Sequence, residues 1–524
     1  MSGVLRSYLS PAISSVALAR HSVKVRVTWL AEGLALALVL AFALRLRLWN
    51  LDAYSGSFDE GIRSEQLLLM SAGYRPFRDI FSSQGPLLLD LLYPFYLWFG
   101  QTLEAARAGV VVFSTVGLVA AWWLGRMAAG PIAGLAAAGL LAMSPGYLEG
   151  SRLALAEVPT IAPALLALGA AYAYRQSSRT GWLVVSAVLC ALALLIKPMV
   201  VHVGLPLMAT LAQADRRQSA RDFARYGSIV VLLCAGVILA LGPAAVWDNL
   251  GAYRAAAGHR LGADWAKNLR LAWIIVDRER AGLLALAVIG LVFGCARHPG
   301  RVVPIALWVA AVLSLFALYG DLADKHIVYL IPPLALLGGV GLGLAFQAAT
   351  VLGGGRRTGW DLAVASLGLV VLGVYLWNLQ PLYRTDLYVI LDAERVAERR
   401  RDQAAELDMA EVMLARAAPS DWVLSDNPNA AFRARRMVIP ALADTSGTRV
   451  DAGSLTSAKV IDLVAQYRPA VVVTWSRRLG RLDAFNRWLP EGGYQLDRTY
   501  ENGWRLYVRD QGSGLRDQGS GNRT

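Results

Sequence analysis

Apolar stretches of about 20 residues recur between residues 29 and 380, divided by short polar segments. Twenty helical residues rise about 30 Å, enough to cross the hydrocarbon core of a bilayer. The stretches fall near 29–48, 107–125, 130–148, 157–174, 180–196, 198–213, 227–246, 281–296, 302–319, 326–348 and 360–380. They predict an α-helical polytopic membrane protein with about 11 transmembrane helices. Two regions break the pattern. The first, 50–105, holds an amphipathic piece near 58–72, a loop with Arg75, Pro76, Arg78 and Asp79, and a second apolar piece, Pro86–Phe99. That piece is only about 14 residues long and contains Asp90 and Pro94, so it reads as an interfacial or re-entrant helix. The second break follows residue 380. A charged helix near 392–417 leads into strand-like and helix-like runs that alternate: Trp422–Ser425, Ser457–Tyr467, Ala470–Thr474, Leu479–Leu489, Gln495–Tyr500 and Trp504–Val508. This predicts a small soluble α/β domain over 381–508. Residues 509–524 close on a repeat, VRDQGSG then LRDQGSG, and read as a low-complexity, disordered tail.

Composition agrees with a membrane protein, since 56% of residues are hydrophobic and only 17% are charged, against about a quarter in soluble domains. The net charge of +13 is spread over short loops, which argues for membrane topology rather than nucleic-acid binding. If Pro86–Phe99 stays on one side, the inner segments are the basic arm 1–28, Arg126, Arg175–Arg179, Arg216–Arg225, Arg297–Arg301 and Arg356–Arg357. All are short and basic, as positive-inside orientation requires. If it crosses, the later ones land outside. The expected arrangement has the N-terminus cytoplasmic and the C-terminal domain external. One outer face then collects the 50–105 loop, Gly150–Glu157, Lys197, the 247–280 loop and Tyr319–His326. The first apolar stretch lacks a small-residue cleavage site and is read as a retained span. Cys190, Cys234 and Cys295 all lie in apolar runs and read as packing residues.

The candidate chemistry begins at Ser57-Phe58-Asp59-Glu60-Gly61, just beyond the first span. S-F-D-E is also a capping box, with Ser57 as N-cap and Glu60 reaching back to it. Adjacent residues on a helix point about 100° apart, so the two acids cannot share a proton. A single base, Asp59, with Glu60 structural, fits the spacing better than a carboxylate pair. Glu157 starts a span directly before Pro159. It is either a helix-start acid or a group facing Asp59 across an outer cavity. The outer basic set is Arg75, Arg78, Lys197, Arg254, Arg260, Lys267, Lys325 and His326. Single outward cations are usually snorkelling anchors, but Lys197 sits inside LIKPMV, where an anionic lipid head group would need a cation. No His/Cys cluster has zinc spacing, and no Walker or dinucleotide motif is present.

FDEG, the loop RPFRDIFSSQGPLLLDLLYPFYLWFG, then LEAARAGVVVFSTVGLVAAWWLGR and SPGYLEGSRLALAEVP together resemble the GT-C membrane glycosyltransferases of family 39 type. That group includes protein O-mannosyltransferases, lipid A aminoarabinose transferases and bacterial lipopolysaccharide sugar transferases. IKP at 196–198 and DKHIVYLIPPLALLGG at 324–339 fit the same ordered series. The resemblance implies that residues 29–380 form a GT-C catalytic domain whose active-site loop is 50–105. It implies a multi-pass protein of the bacterial cytoplasmic membrane with an external active site. It further implies a polyprenyl-phosphate-linked sugar donor, a glycan, lipid or protein acceptor hydroxyl, inversion at the sugar carbon, and no nucleic-acid partner. Among the catalytic positions Asp59, Glu60 and Glu157, Asp59 matches the proposed base of the family's Asp-Glu motif. Glu157 matches the acid that shapes the site or, with Asp59, binds a divalent metal ion where one is used; no other cofactor is implied. Lys197, Lys325 and His326 match basic positions near the donor phosphate. Relatives often carry a lysine where this chain has Gln84 in Ser83-Gln84-Gly85-Pro86, so Arg75, Arg78 or Lys197 is expected to supply that charge. The alternative function is a secondary transporter or lipid flippase, which would place charges or broken helices at the midplane rather than at the outer ends of spans.

Overall fold

The computed structural model describes residues 29–51, 57–252, 254–256, 264–279, 281–320, 322–350, 359–380 and 393–510. The basic arm 1–28, Arg260, Arg356–Arg357 and the repeat at 511–524 lie outside the described residues. All eleven expected spans fall on helices. Among the described residues, five are long and apolar enough to cross a bilayer: Trp29–Leu48, Leu103–Ala129, Arg216–Leu241, Pro299–Leu318 and Asp324–Ala348. A bent pair, Trp265–Arg278 with Gly282–Arg297, would make a sixth. Others are shorter than expected because prolines interrupt them. The 130–148 stretch is split into Pro131–Met143 and Pro145–Gly150, and 198–213 opens as a 3₁₀ turn, Pro198–Val203, before the helix Gly204–Leu211. The protein is thus a multi-pass helical membrane protein whose spans differ in length.

The helices pack closely where side chains are small. Gly290 and Gly341 face each other, and a Cβ on Gly290 would strike the Leu337 carbonyl, so the helices Gly282–Arg297 and Ile331–Thr350 approach backbone to backbone. The basic helix ends expected to share a side do meet. Arg175 donates to the Thr210 carbonyl at 3.4 Å and lies beside Gly300, and the Tyr172 hydroxyl reaches the Arg301 carbonyl. Of the cysteines, Cys190 is buried, while Cys234 and Cys295 are half-buried.

Pro86–Phe99 contributes an 11-residue helix, Leu88–Trp98, whose Leu88, Leu89, Leu92 and Tyr96 are buried. At about 1.5 Å per residue it is too short to cross. Before it, Phe58–Ser71 forms a separate helix that belongs to two cores at once. Leu67 packs with Leu88, Leu92 and Tyr96 in the membrane bundle, whereas Leu69 packs with Met409, Met413, Ala430 and Val438 of the C-terminal domain.

That domain carries a four-stranded sheet in the order β1-β2-β4-β3, with β1 Val423–Ser425, β2 Val471–Trp475, β3 Tyr494–Thr499 and β4 Trp504–Arg509. β1 and β2 are parallel, joined through the helix Ser457–Tyr467, and the remaining pairs are antiparallel. Val471, Val472 and Val473 are all buried because both faces of the sheet are covered. β4 runs to Arg509, and the Gln495 amide reaches the Asp510 carboxylate at 3.1 Å, so ordered structure continues into the start of the expected tail. Short helices at Pro428–Arg433 and Gly447–Asp451 were not legible in the sequence.

Candidate active site

The Phe58–Ser71 helix begins as its sequence predicts. The Ser57 hydroxyl accepts from the Glu60 amide at 3.3 Å, and two acids occupy the first turn. The second half of the expected capping box is absent, because the Glu60 carboxylate turns into the bundle. There Arg107 grips both of its oxygens, at 2.7 and 2.8 Å, and the Ala154 amide donates to it at 2.7 Å. Glu60 and Arg107 are both buried, so this is a bidentate ion pair that ties the first loop to the helix Leu103–Ala129.

Asp59 points the other way, into a part-open cleft. Its side chain keeps 31% of its exposure and pairs with the Lys325 ammonium. Burial by itself would raise the Asp59 carboxyl, but Lys325, with Arg63 and Lys197, outweighs it and holds the group down to about 2. Arg63 lies one helical turn beyond Asp59, a spacing that would have flagged it. Glu157 lines the same cleft and pairs with Lys197, both buried. His326 Nε2 lies 3.8 Å from Glu157. His326 Nδ1 accepts from the Ala323 amide at 3.1 Å, which leaves the ring proton on Nε2, toward the acid. The cleft therefore holds two acid–lysine pairs, brought together from four separate segments of chain.

The loop Ser83-Gln84-Gly85-Pro86 lies beside this cluster. A Cβ on Gly85 would run into the carbonyl oxygens of Leu195 and Ile196, and the Leu87 amide donates to Leu195 at 3.1 Å. Only glycine lets the loop come this close to Lys197. Arg254 completes the neighbourhood, donating to the Ser83 carbonyl at 2.6 Å and the Tyr319 hydroxyl at 2.9 Å. Arg75 and Arg78 do not join it. Both are exposed at the far end of the Phe58–Ser71 helix, where Arg78 lies 3.9 Å from Asp79 and the Arg75 amide is held by Asp79. The structure therefore does not bring these two expected phosphate-binding residues to the cluster: the turn after Ser71 leaves both on the surface.

The cleft is also lined by Glu149, Arg278, Glu279 and Asp324, which went unnoticed in the sequence. Arg278 bridges Glu149, at 3.2 Å, and Asp324, at 3.7 Å. Buried Glu279 accepts from Ser144 at 2.6 Å and Tyr375 at 2.7 Å. Their common signal is a charge at the very end of an apolar run. Among the described residues, no three His, Cys, Asp or Glu side chains gather where they could hold a metal ion. Asp59 and Glu157 are each turned to a lysine, and a divalent ion would have to displace both ammonium groups, so the arrangement does not fit one.

Residues 83–245 match the family model of dolichyl-phosphate-mannose-protein mannosyltransferase. No curated protein sequence matches the chain. Among solved structures, ArnT from Cupriavidus metallidurans in the apo state is similar with a TM-score of 0.61 at 16% identity, over 92% of this chain and 98% of that one. The same protein bound to undecaprenyl phosphate gives 0.59 at 16% identity, with the same coverage. The apo oligosaccharyltransferase of Archaeoglobus fulgidus gives 0.56 at 13% identity, over 92% of this chain and 74% of that one. What is shared at these identities is the fold. The shared fold and the matched stretch both support the resemblance to the GT-C membrane glycosyltransferases.

Proposed function

We propose that the protein transfers a single sugar from a polyprenyl-phosphate carrier to an acceptor hydroxyl, at the outer face of a bacterial cytoplasmic membrane. The observation that carries this reading is the cleft in which Asp59 and Glu157 each face a lysine at the ends of the spans. It is supported by the likeness in fold to a protein solved with undecaprenyl phosphate. In the proposed reaction the acceptor oxygen attacks the anomeric carbon as the carbon–oxygen bond to the phosphate breaks. The electron pair of that bond stays on the phosphate, and Asp59 takes the hydroxyl proton. A single displacement of this kind inverts the sugar carbon. Lys197, Lys325, Arg254 and His326 would hold the lipid phosphate, with Lys197 and Arg254 beside Gln84.

A carboxylate held near 2 is a weak base. Lys325 resolves this, because it is shared. Once it turns to a donor phosphate, Asp59 loses its neutralising partner and its basicity rises, so the base is armed only when donor is bound. Glu60 has no part in this proton transfer, since Arg107 and the Ala154 amide occupy its carboxylate.

The test is to incubate the purified protein in detergent with polyprenyl-phosphate-linked sugars and follow release of polyprenyl phosphate by mass spectrometry. Release by the parent and its loss in Asp59→Asn is the expected result. A parent that neither binds nor consumes any polyprenyl-phosphate compound overturns the reading. Orientation is tested separately: a reporter fused after Arg217 should read cytoplasmic and one after Tyr383 external.

A further inference from the structure

The five residues Ser57 to Gly61 each have a structural partner, and two of those partners lie in the C-terminal domain. Lys325 takes Asp59 and Arg107 takes Glu60, both from the membrane bundle. From the C-terminal domain, the Asn429 side-chain amide donates to the Ser57 carbonyl at 3.2 Å. Asn429 also packs so closely on Gly61 that a Cβ there would lie 2.7 Å from its Oδ1 and 2.8 Å from its backbone nitrogen. The Arg478 guanidinium carbon lies over the Phe58 ring, 3.1 Å from its centroid, and 4.7 Å from the centroid of Trp475. Asn429 and Arg478 thus close on the first turn of the helix that carries Asp59.

Arg478 is itself built into place. Asp426 is buried at the end of β1, and its carboxylate accepts from the amides of Trp475 at 2.7 Å and Leu479 at 2.9 Å. The Asp426 carbonyl accepts from Arg478 Nη1 at 2.8 Å. These bonds fix the turn from Trp475 to Leu479 and aim its arginine out of the domain. The same seam continues down the helix, where the Val438 amide donates to the buried Glu65 at 3.4 Å and the Ser83 hydroxyl to Asp444 at 2.7 Å.

We infer that Arg478 is a positioning residue: stacked on Phe58 and fixed by Asp426, it sets the direction of the neighbouring Asp59 carboxylate, so the C-terminal domain completes the active site. The inference rests on Asp59 being the base. Asp59 has its bundle-side anchor in Lys325, a contact that the donor phosphate would compete for. When Lys325 turns away, Phe58 held by Arg478 and Ser57 held by Asn429 keep the first turn in register. Misplacing a catalytic group by about 1 Å can cost on the order of 10²-fold in rate, so a small release of this turn is measurable.

Two readouts on the full-length protein in detergent test it. The first is hydrogen exchange across 57–66, which needs no substrate. Arg478→Ala should speed exchange there by about tenfold, the scale of one cation–π contact, while the sheet β1–β4 stays protected. Arg478→Lys, which keeps a cation for the ring, should remain within about threefold of the parent. Unchanged exchange at 57–66 in Arg478→Ala overturns the inference. So does a rise shared equally with the sheet, which marks general loosening of the domain. The second readout is turnover of a polyprenyl-phosphate-linked sugar: Arg478→Ala should lower kcat about tenfold with donor KM within about twofold. A normal kcat there, with Asp59→Asn inactive, defeats the inference alone. An active Asp59→Asn defeats the base assignment, whatever the exchange shows.

Discussion

The bundle side and the cleft side of one helical turn receive adjacent carboxylates and treat them differently. Glu60, on the bundle side, is fully buried with a bidentate arginine and a backbone amide. Asp59, on the cleft side, is part-exposed and has a lysine that a ligand could draw away. A buried acid whose two oxygens both accept from fixed donors is a structural tie. An acid left open to a cleft with a movable counter-ion is available for chemistry. The contrast teaches that the Asp-Glu motif is two devices, one anchoring the loop and one facing the cleft.

The largest effect expected is on the bundle side. Glu60→Gln removes the charge that Arg107 grips in a buried bidentate pair and should cost about 3–5 kcal/mol of stability, seen as a lower melting temperature in detergent. A lost helix cap alone would cost about 1 kcal/mol, which is what the sequence leads one to expect. A small loss would mean that Glu60 is only a cap and erase the contrast. On the cleft side, Asp59→Asn should leave melting nearly unchanged but slow turnover by at least about 10²-fold, the usual worth of a general base. Near-normal turnover in well-folded Asp59→Asn would remove Asp59 from the chemistry.

Lys197 sharpens the comparison, since it is a buried partner like Arg107 yet pairs with an acid, Glu157, that lines the cleft. Lys197→Ala should weaken undecaprenyl-phosphate binding by about 10–100-fold, the worth of one charge-assisted contact. If Lys197→Ala and Lys197→Arg both bind the carrier like the parent, Lys197 serves only Glu157. The smallest effect is the pH dependence. The Asp59 carboxyl is depressed from an ordinary 3.8 to about 2 in the folded protein. Its pairing therefore adds stability above about pH 3.8 that is lost as pH falls through about 2. Partial exposure screens the pair, so the change in melting temperature over this window should be small, and Lys325→Met should abolish it.

Much of this was legible beforehand. The apolar helices, the short helix after Pro86, the β-strands near 423, 471, 495 and 504 and the Ser57 cap all came from local pattern. Arg75 and Arg78 lie apart from the cluster, because nearness in sequence to the loop does not fix which way a turn sends a side chain. Gln84 shows the converse: the cation near it, Arg254, is 170 residues away in the chain and was only one of eight outer candidates.

By itself, then, the sequence determined where the chain is helical and apolar and that a small sheet domain follows the last apolar stretch. Those properties follow from hydrophobicity and period, which act over one or a few turns. Only the tertiary structure decided that Glu60 meets Arg107, that Asp59 meets Lys325 and that Arg478 stacks on Phe58. These contacts join residues 47, 266 and about 420 positions apart. A charge leaves no periodic trace of its partner, and its pairing is chosen by whichever helices the glycine contacts and apolar faces bring together.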